Sequence, residues 1–100
     1  TVNVNTVYPR EIVKRTLQRN AAALVVAHNH PSGSTEPSPQ DRTLTRNLCL
    51  VCSMMHIRLL DHIIIGNGHY SFADHGLMAQ SQNWCQQVLT DGVTTGETGA

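Results

Sequence analysis

A short apolar run that ends in two closely spaced histidines is the feature that most restricts how this chain folds. Residues 21–27 (AAALVVA) are continuously apolar and are followed directly by His28, Asn29 and His30. The length of this run and its Val-Val pair favour a buried strand. Because side chains two positions apart on a strand point to the same side, the two imidazoles are expected to face one point.

A helix start follows eight residues after the second histidine. Residues 31–37 (PSGSTEP) are dense in Pro, Ser and Gly and are predicted to form a loop. Ser38 suits the N-cap of a helix, Pro39 its first position and Asp41 its third. The loop then turns the chain back, so the Asp41 carboxylate is expected to close on the point that the histidines face.

The other hydrophobic patterns predict alternating strands and helices in the order β-α-β-loop-α-β-β. We therefore expect an α/β fold in which helices flank a sheet, with one domain over residues 1–89 and a loose tail over 90–100. The predicted strands cover 1–5, 21–27, 58–65 and 69–72, and the predicted helices cover 9–20, a segment that starts at 38, and 80–89.

Composition and charge restrict the classes of partner. The chain has 40% hydrophobic and 14% charged residues, which is typical of a globular domain. Its formal net charge is zero, so the basic surface expected of a nucleic-acid-binding protein is missing. We expect no membrane span and no signal peptide, because the apolar runs are short. Three cysteines cannot all pair within one chain, which favours a reducing, cytoplasmic setting.

Two imidazole nitrogens and one carboxylate oxygen, from His28, His30 and Asp41, form a ligand set with a defined chemistry. They leave one tetrahedral position open on Zn²⁺, which is the layout of a catalytic rather than a structural site. A water at that position has its pKa lowered to about 7. Three simpler interpretations stay open: hydrogen-bonded histidines at a strand end, Asp41 as only a capping residue, and Ser38 as only an N-cap.

Together these residues resemble a known motif. The spacing H-x-H, seven residues, then S-x-x-D is matched by His28, His30, Ser38 and Asp41, and it resembles the JAMM (MPN+) metalloprotease motif. The blocks AHNHPSG and PSPQD, preceded by TVN and YPREI and followed by LLDHIIIG, are similar to the bacterial RadC family as far as residue 76. The resemblance implies a cytidine-deaminase-like (JAB/MPN) α/β fold, with Zn²⁺ held by the two histidines and the aspartate.

The resemblance also implies an activity. JAMM enzymes hydrolyse peptide and isopeptide bonds with a metal-activated water, and the serine of S-x-x-D, here Ser38, helps to stabilise the tetrahedral intermediate. Their general base is a glutamate well upstream of H-x-H, whereas the single acidic residue before His28 is Glu11, at a helix start. We therefore expect that the chain lacks the family's N-terminal strands and, with them, its base. The strand edge exposed in this way would favour a homo-oligomer.

The leading hypothesis is a zinc-dependent hydrolase that acts on a peptide or isopeptide of unknown identity, and two other functions stay open. A non-catalytic zinc-binding module would need no positioned glutamate. An accessory protein of DNA repair or mobile elements would bind DNA in a salt-dependent way, which the neutral charge argues against. A zinc nucleobase deaminase shares the broad fold but needs H-x-E and P-C-x-x-C, and neither is present.

The other residues with chemical potential are interpreted structurally. Cys49 and Cys52 form C-x-x-C within a helix, but their neighbours are apolar and no second pair exists, so we expect buried small hydrophobes. His62 follows Asp61 in the strand predicted over 58–65 and is interpreted as a structural histidine. Surface or turn positions are predicted for the remaining histidines, which are His56, His69 and His75.

Overall fold

A mixed sheet with helices against it makes up the fold. The computed structural model of the chain describes residues 2–3 and 8–99, with side chains over 8–91. Its elements are β1 (Val2–Asn3), α1 (Pro9–Gln18), β2 (Ala23–Asn29), α2 (Pro39–Met54), β3 (Arg58–Gly66), β4 (Gly68–Ser71) and α3 (Leu77–Gly99). Among the described residues the sheet order is β1-β2-β3-β4, with β1, β2 and β3 parallel and β4 antiparallel to β3. The predicted α/β class is therefore confirmed.

Local sequence explains where the first two helices begin and end. Pro9 and Pro39 occupy the first turns of α1 and α2, where a missing backbone N–H leaves no hydrogen bond unmade. Asn20 follows α1 with a φ of 53°, a left-handed conformation that ends the helix slightly before the predicted residue 20. Of the strand predicted over 1–5, β1 covers residues 2–3, and the other three positions lie outside the described residues.

An irregularity in β3 decides which of its side chains face the core. Leu24 of β2 pairs with Leu59, but the next residue, Val25, pairs with Asp61, so Leu60 is an extra residue on β3. This bulge reverses the alternation of side chains along the strand. As a result His62, paired with Val26, lies on the same face as Leu59. The sequence-based prediction of a regular strand over 58–65 did not contain this shift.

The last helix is longer than predicted. The backbone of α3 is helical from Leu77 to Gly99, so it contains the helix predicted over 80–89 and replaces the loose tail predicted over 90–100 as far as residue 99. Residue 100 lies outside the described residues. Three glycines after residue 91 lower the helix propensity by roughly 1 kcal/mol each. This low propensity is the reason why the sequence predicts a loose tail there. No helix in the described part of the chain has the length and apolar character needed to cross a membrane.

The hydrophobic core lies between the helices and one face of the sheet. Cys49 and Cys52 of α2 are 3% and 1% exposed and pack with Cys85 of α3, so their predicted role as buried small hydrophobes is confirmed. Burial raises the pKa of Cys49 to about 11, which keeps this thiol unreactive at neutral pH. The other core residues are Ile12, Leu24, Val26, Leu48, Ile57, Leu59, Ile64, Phe72 and Met78.

The loop between β2 and α2 is fastened to the turn between β3 and β4. The backbone N–H of Asn67 donates to the Gly33 carbonyl oxygen at 2.7 Å, and the N–H of His30 donates to the Ile65 carbonyl oxygen at 2.8 Å. Gly33 has a φ of 85°, a conformation that glycine adopts at no steric cost. A Cβ atom at Gly66 would lie 2.4 Å from the Gly33 carbonyl oxygen, so only glycine allows the two backbones to approach this closely.

We expect Gly66→Ala to destabilise the fold by about 1–3 kcal/mol, because the added methyl group meets backbone rather than a side chain that can move. Gly76→Ala is the matched control, since a Cβ there meets nothing within 4 Å and adds only the strain of a positive φ. Denaturant unfolding of both variants measures the difference. Equal stability of Gly66→Ala and the unchanged chain would contradict the close approach of the loop and the turn.

Candidate metal centre

Three side chains converge where β2 ends and α2 begins. His28 lies in β2, His30 directly follows it, and Asp41 lies in the first turn of α2. Nε2 of His28 is 2.8 Å from Oδ1 of Asp41, and Nε2 of His30 is 3.0 Å from Oδ2. One nitrogen or oxygen atom from each residue lies within 4.8 Å of the others, and over the described ranges this is the one group of metal-ligating side chains with that geometry.

The helix cap fixes the position of the Asp41 carboxylate. The Ser38 N–H donates to Oδ2 of Asp41 at 2.8 Å, and the Asp41 N–H donates to Oγ of Ser38 at 3.1 Å. This reciprocal pair is the predicted capping box, so Ser38 is confirmed as the N-cap. Burial alone would raise the pKa of Asp41, but the hydrogen bonds of Ser38 and the two nearby imidazoles outweigh it and lower that pKa.

The second histidine is oriented by the loop that follows it. Nδ1 of His30 lies 2.9 Å from the Ser34 carbonyl oxygen, which can only accept, so Nδ1 carries the proton. In the neutral ring Nε2 then presents a lone pair toward Asp41. A lone pair and a carboxylate oxygen 3.0 Å apart repel each other unless a cation or a proton lies between them. The donor set therefore fits a divalent metal ion.

The first histidine is supported from the interior of the domain. Nδ1 of His28 lies 3.0 Å from Nε2 of His62, and Nδ1 of His62 lies 2.6 Å from Oγ1 of Thr45. His62 and Thr45 are both fully buried. Burial, with a smaller effect of His28, lowers the pKa of His62 to about 4, so this ring is neutral at physiological pH. Burial also lowers the pKa of His28, although the Asp41 carboxylate acts in the opposite direction.

His62 and Thr45 are the two residues of this site that the sequence analysis missed. The sequence predicts a structural role for His62, which follows Asp61 in the strand predicted over 58–65. The bulge at Leu60, which turns His62 toward β2, leaves no mark in the hydrophobic pattern. The one available signal was the DH pair within LLDHIIIG, a block that carries the resemblance to the RadC family.

The remaining acidic and histidine side chains stand outside the group. Glu11 occupies the first turn of α1, as predicted, and does not belong to the cluster of ligand atoms. Asp61 accepts hydrogen bonds from the N–H of His62, the hydroxyl of Ser71 and the N–H of Ala73. These bonds stabilise the end of the hairpin formed by β3 and β4. Exposed positions, as predicted, are found for His56, His69 and His75.

The sequence of the chain is similar to one known protein family and to several curated proteins. Residues 1–77 match the family model of the RadC-like JAB domain. The chain is 56% identical over 73 residues to a UPF0758 protein of Ralstonia pickettii (strain 12J), covering 72% of this chain and 33% of that protein. It is 54% identical over 79 residues to the UPF0758 protein YkfG of Escherichia coli (strain K12), covering 78% and 50% respectively.

A third relative is similar over the same extent of the chain. The UPF0758 protein NTHI1125 of Haemophilus influenzae (strain 86-028NP) is 53% identical over 79 residues, which is 78% of this chain and 36% of that protein. The chain thus spans between a third and a half of the length of these curated relatives. The matched region contains the H-x-H pair, the capping box and the four strands that the structure describes. The chain belongs to the RadC-like JAB domain family.

Proposed function

We propose that this chain carries the metal site of a zinc-dependent hydrolase that cleaves a peptide or isopeptide bond. The observation that carries the proposal is the convergence of His28 Nε2, His30 Nε2 and the Asp41 carboxylate within 4.8 Å. Two nitrogen ligands and one oxygen ligand suit Zn²⁺ and leave a fourth position for water and substrate. Membership of the JAB domain family supports a metal-dependent hydrolase as the class of function.

The chain's own residues would bind and orient the reacting groups. A zinc ion bound here would lower the pKa of a coordinated water to about 7 and polarise the carbonyl of the scissile bond. Ser38 accepts a hydrogen bond from the Asp41 N–H through its Oγ atom, which leaves its hydroxyl proton out of the cap. That proton is the donor we assign to the oxygen of the tetrahedral intermediate.

This mechanism also needs a general base, and no described glutamate lies in the group of candidate metal ligands. The two glutamates with described side chains are Glu11, in the first turn of α1, and Glu36, exposed in the loop. Neither joins the cluster formed by the ligand atoms. This observation supports a second candidate, in which the chain by itself is a zinc-binding module without efficient catalysis.

We expect the purified chain to bind about one Zn²⁺ and to lose most of that binding in His30→Ala and Asp41→Asn. Asp41→Asn is the sharper variant, because its amide oxygen can still accept from the Ser38 N–H and so preserves part of the cap. His69→Ala, at an exposed histidine, is the control and should leave the zinc content unchanged. Elemental analysis and titration with a competing chelator provide the measurement. No zinc uptake by the unchanged chain would overturn the proposal.

Replacement of Ser38 separates its structural role from its proposed chemical role. Ser38→Ala should lower the free energy of unfolding by about 1 kcal/mol, because the N-cap bond to the Asp41 N–H is lost. With zinc fully loaded, turnover should fall further, by roughly 10²–10³, if the hydroxyl stabilises the oxyanion. Ser38→Thr keeps both functions and is the control. A Ser38→Ala protein with reduced stability but normal turnover would leave Ser38 as a cap alone.

We expect slow cleavage of peptide and isopeptide substrates by this chain, because general-base catalysis typically contributes about 10²–10⁴-fold. Glu11→Gln should change neither turnover nor zinc content, since Glu11 stands outside the ligand cluster. The full-length Escherichia coli relative, of which the match covers 50%, provides the comparison for turnover under the same conditions. Rapid cleavage by this chain that Glu11→Gln abolishes would show that the base lies in α1.

A further inference from the structure

A line of three polar side chains leads from the buried interior to the metal-facing histidine. His62 contacts His28 at 3.0 Å and Thr45 at 2.6 Å. Oγ1 of Thr45 also lies 3.0 Å from the main-chain carbonyl oxygen of Asp41. The ring of Phe72 stacks on His62 with 4.5 Å between centroids, which restricts rotation of the imidazole. These contacts serve neither the cap of α2 nor the pairing of β3.

Two proton arrangements are compatible with these contacts. In the first, Thr45 donates to Nδ1 of His62, Nε2 of His62 donates to Nδ1 of His28, and Nε2 of His28 carries a proton. In the second, Thr45 donates to the Asp41 carbonyl oxygen, Nδ1 of His62 donates to Thr45, and Nε2 of His62 accepts from Nδ1 of His28. Only the second arrangement leaves a lone pair on Nε2 of His28, the atom that faces Asp41.

The end of the line decides between the two arrangements. A carbonyl oxygen can only accept, so the 3.0 Å contact between Thr45 and Asp41 is a hydrogen bond only in the second arrangement. The hydroxyl of Thr45 has a single proton, and its use there obliges His62 to donate to Thr45. His30 has the same tautomer, with its proton on Nδ1, for an independent reason: its Nδ1 donates to the Ser34 carbonyl oxygen.

We propose that His62 and Thr45 are positioning residues that hold His28 with its proton on Nδ1 and its Nε2 lone pair directed at the metal. This inference rests on the proposed metal site and adds to it the origin of the tautomer. A buried acceptor for the second nitrogen of a ligating imidazole fixes both the tautomer and the ring orientation, and its loss costs about 10–100-fold in metal affinity. Neither residue belongs to the group of ligand atoms formed by His28, His30 and Asp41.

Two pairs of variants test this role through zinc affinity, measured by competition with a chromogenic chelator at one pH. His62→Leu removes the acceptor, whereas His62→Gln places an amide oxygen where Nε2 stood. Thr45→Val removes the hydroxyl at nearly constant volume, whereas Thr45→Ser retains it. We expect the zinc affinity to fall by about 10–100-fold in His62→Leu and Thr45→Val, relative to the unchanged chain. Thr45→Ser should bind zinc at least tenfold more tightly than Thr45→Val, and His62→Gln should bind it more tightly than His62→Leu.

Thr16→Val is the matched control for loss of a buried threonine hydroxyl. Thr16 is 3% exposed, and its Oγ1 donates to the Ile12 carbonyl oxygen at 2.8 Å, the same bond that Thr45 makes to Asp41. Its position in α1 lies outside the metal-ligand group. We expect Thr16→Val to lose a similar amount of stability as Thr45→Val but to keep the zinc affinity of the unchanged chain.

Nitrogen-15 NMR of the zinc-loaded protein reads the tautomers directly, independently of any cleavage activity. We expect a proton on Nδ1 of both His28 and His62 and a bare Nε2 on His62. Protonated Nε2 on His62, or equal zinc affinities of Thr45→Val and Thr16→Val, would overturn this inference while leaving the metal site intact. No zinc binding by the unchanged chain would overturn the proposed function and this inference together.

Discussion

The carboxylate of Asp41 belongs to the helix cap and to the candidate metal centre at the same time. Oδ2 accepts the Ser38 N–H at 2.8 Å, and the two oxygens lie 2.8 Å and 3.0 Å from the imidazoles of His28 and His30. The residue is 7% exposed, and no lysine or arginine among the described side chains forms an ion pair with it. The helix N-terminus and the hydrogen bonds of the cap therefore stabilise its negative charge. The cap of α2 thus holds the Asp41 carboxylate beside the two imidazoles.

The ligands come from β2 and α2, but their orientation depends on β3. The bulge at Leu60 turns His62 to the face of β2 that carries His28, and the Phe72 ring then holds it there. The opposite end of the same strand fastens the loop, through the contact of Gly33 with the turn at residues 66–68. Both histidines consequently receive a fixed acceptor for Nδ1, one from a side chain and one from the backbone. This is the arrangement that makes two flexible side chains a preorganised site.

Sequence reasoning reached the parts of the structure that local patterns encode. The Ser38–Asp41 box and the two-residue spacing of the histidines both act over a few residues, and both are present as predicted. Two features escaped it for physical reasons. The extra residue in β3 is stabilised by pairing with β2, a contact between residues far apart in sequence, and so His62 could not be placed. The extension of α3 to Gly99 runs against the low helix propensity of its glycines, so a local pattern could not predict it.

Metal binding and catalysis place different demands on this chain, and the structure separates them. Binding needs three ligands from a single β2-loop-α2 unit, and the cap and the loop bring all three together within 4.8 Å. A cation between them would also remove the repulsion among two lone pairs and a carboxylate, so binding would stabilise the folded state directly. Hydrolysis needs, in addition, a base beside the water, and no described glutamate joins the cluster. The candidate metal ligands therefore come from one unit of the chain, whereas the proposed hydrolysis would need a base in addition to them.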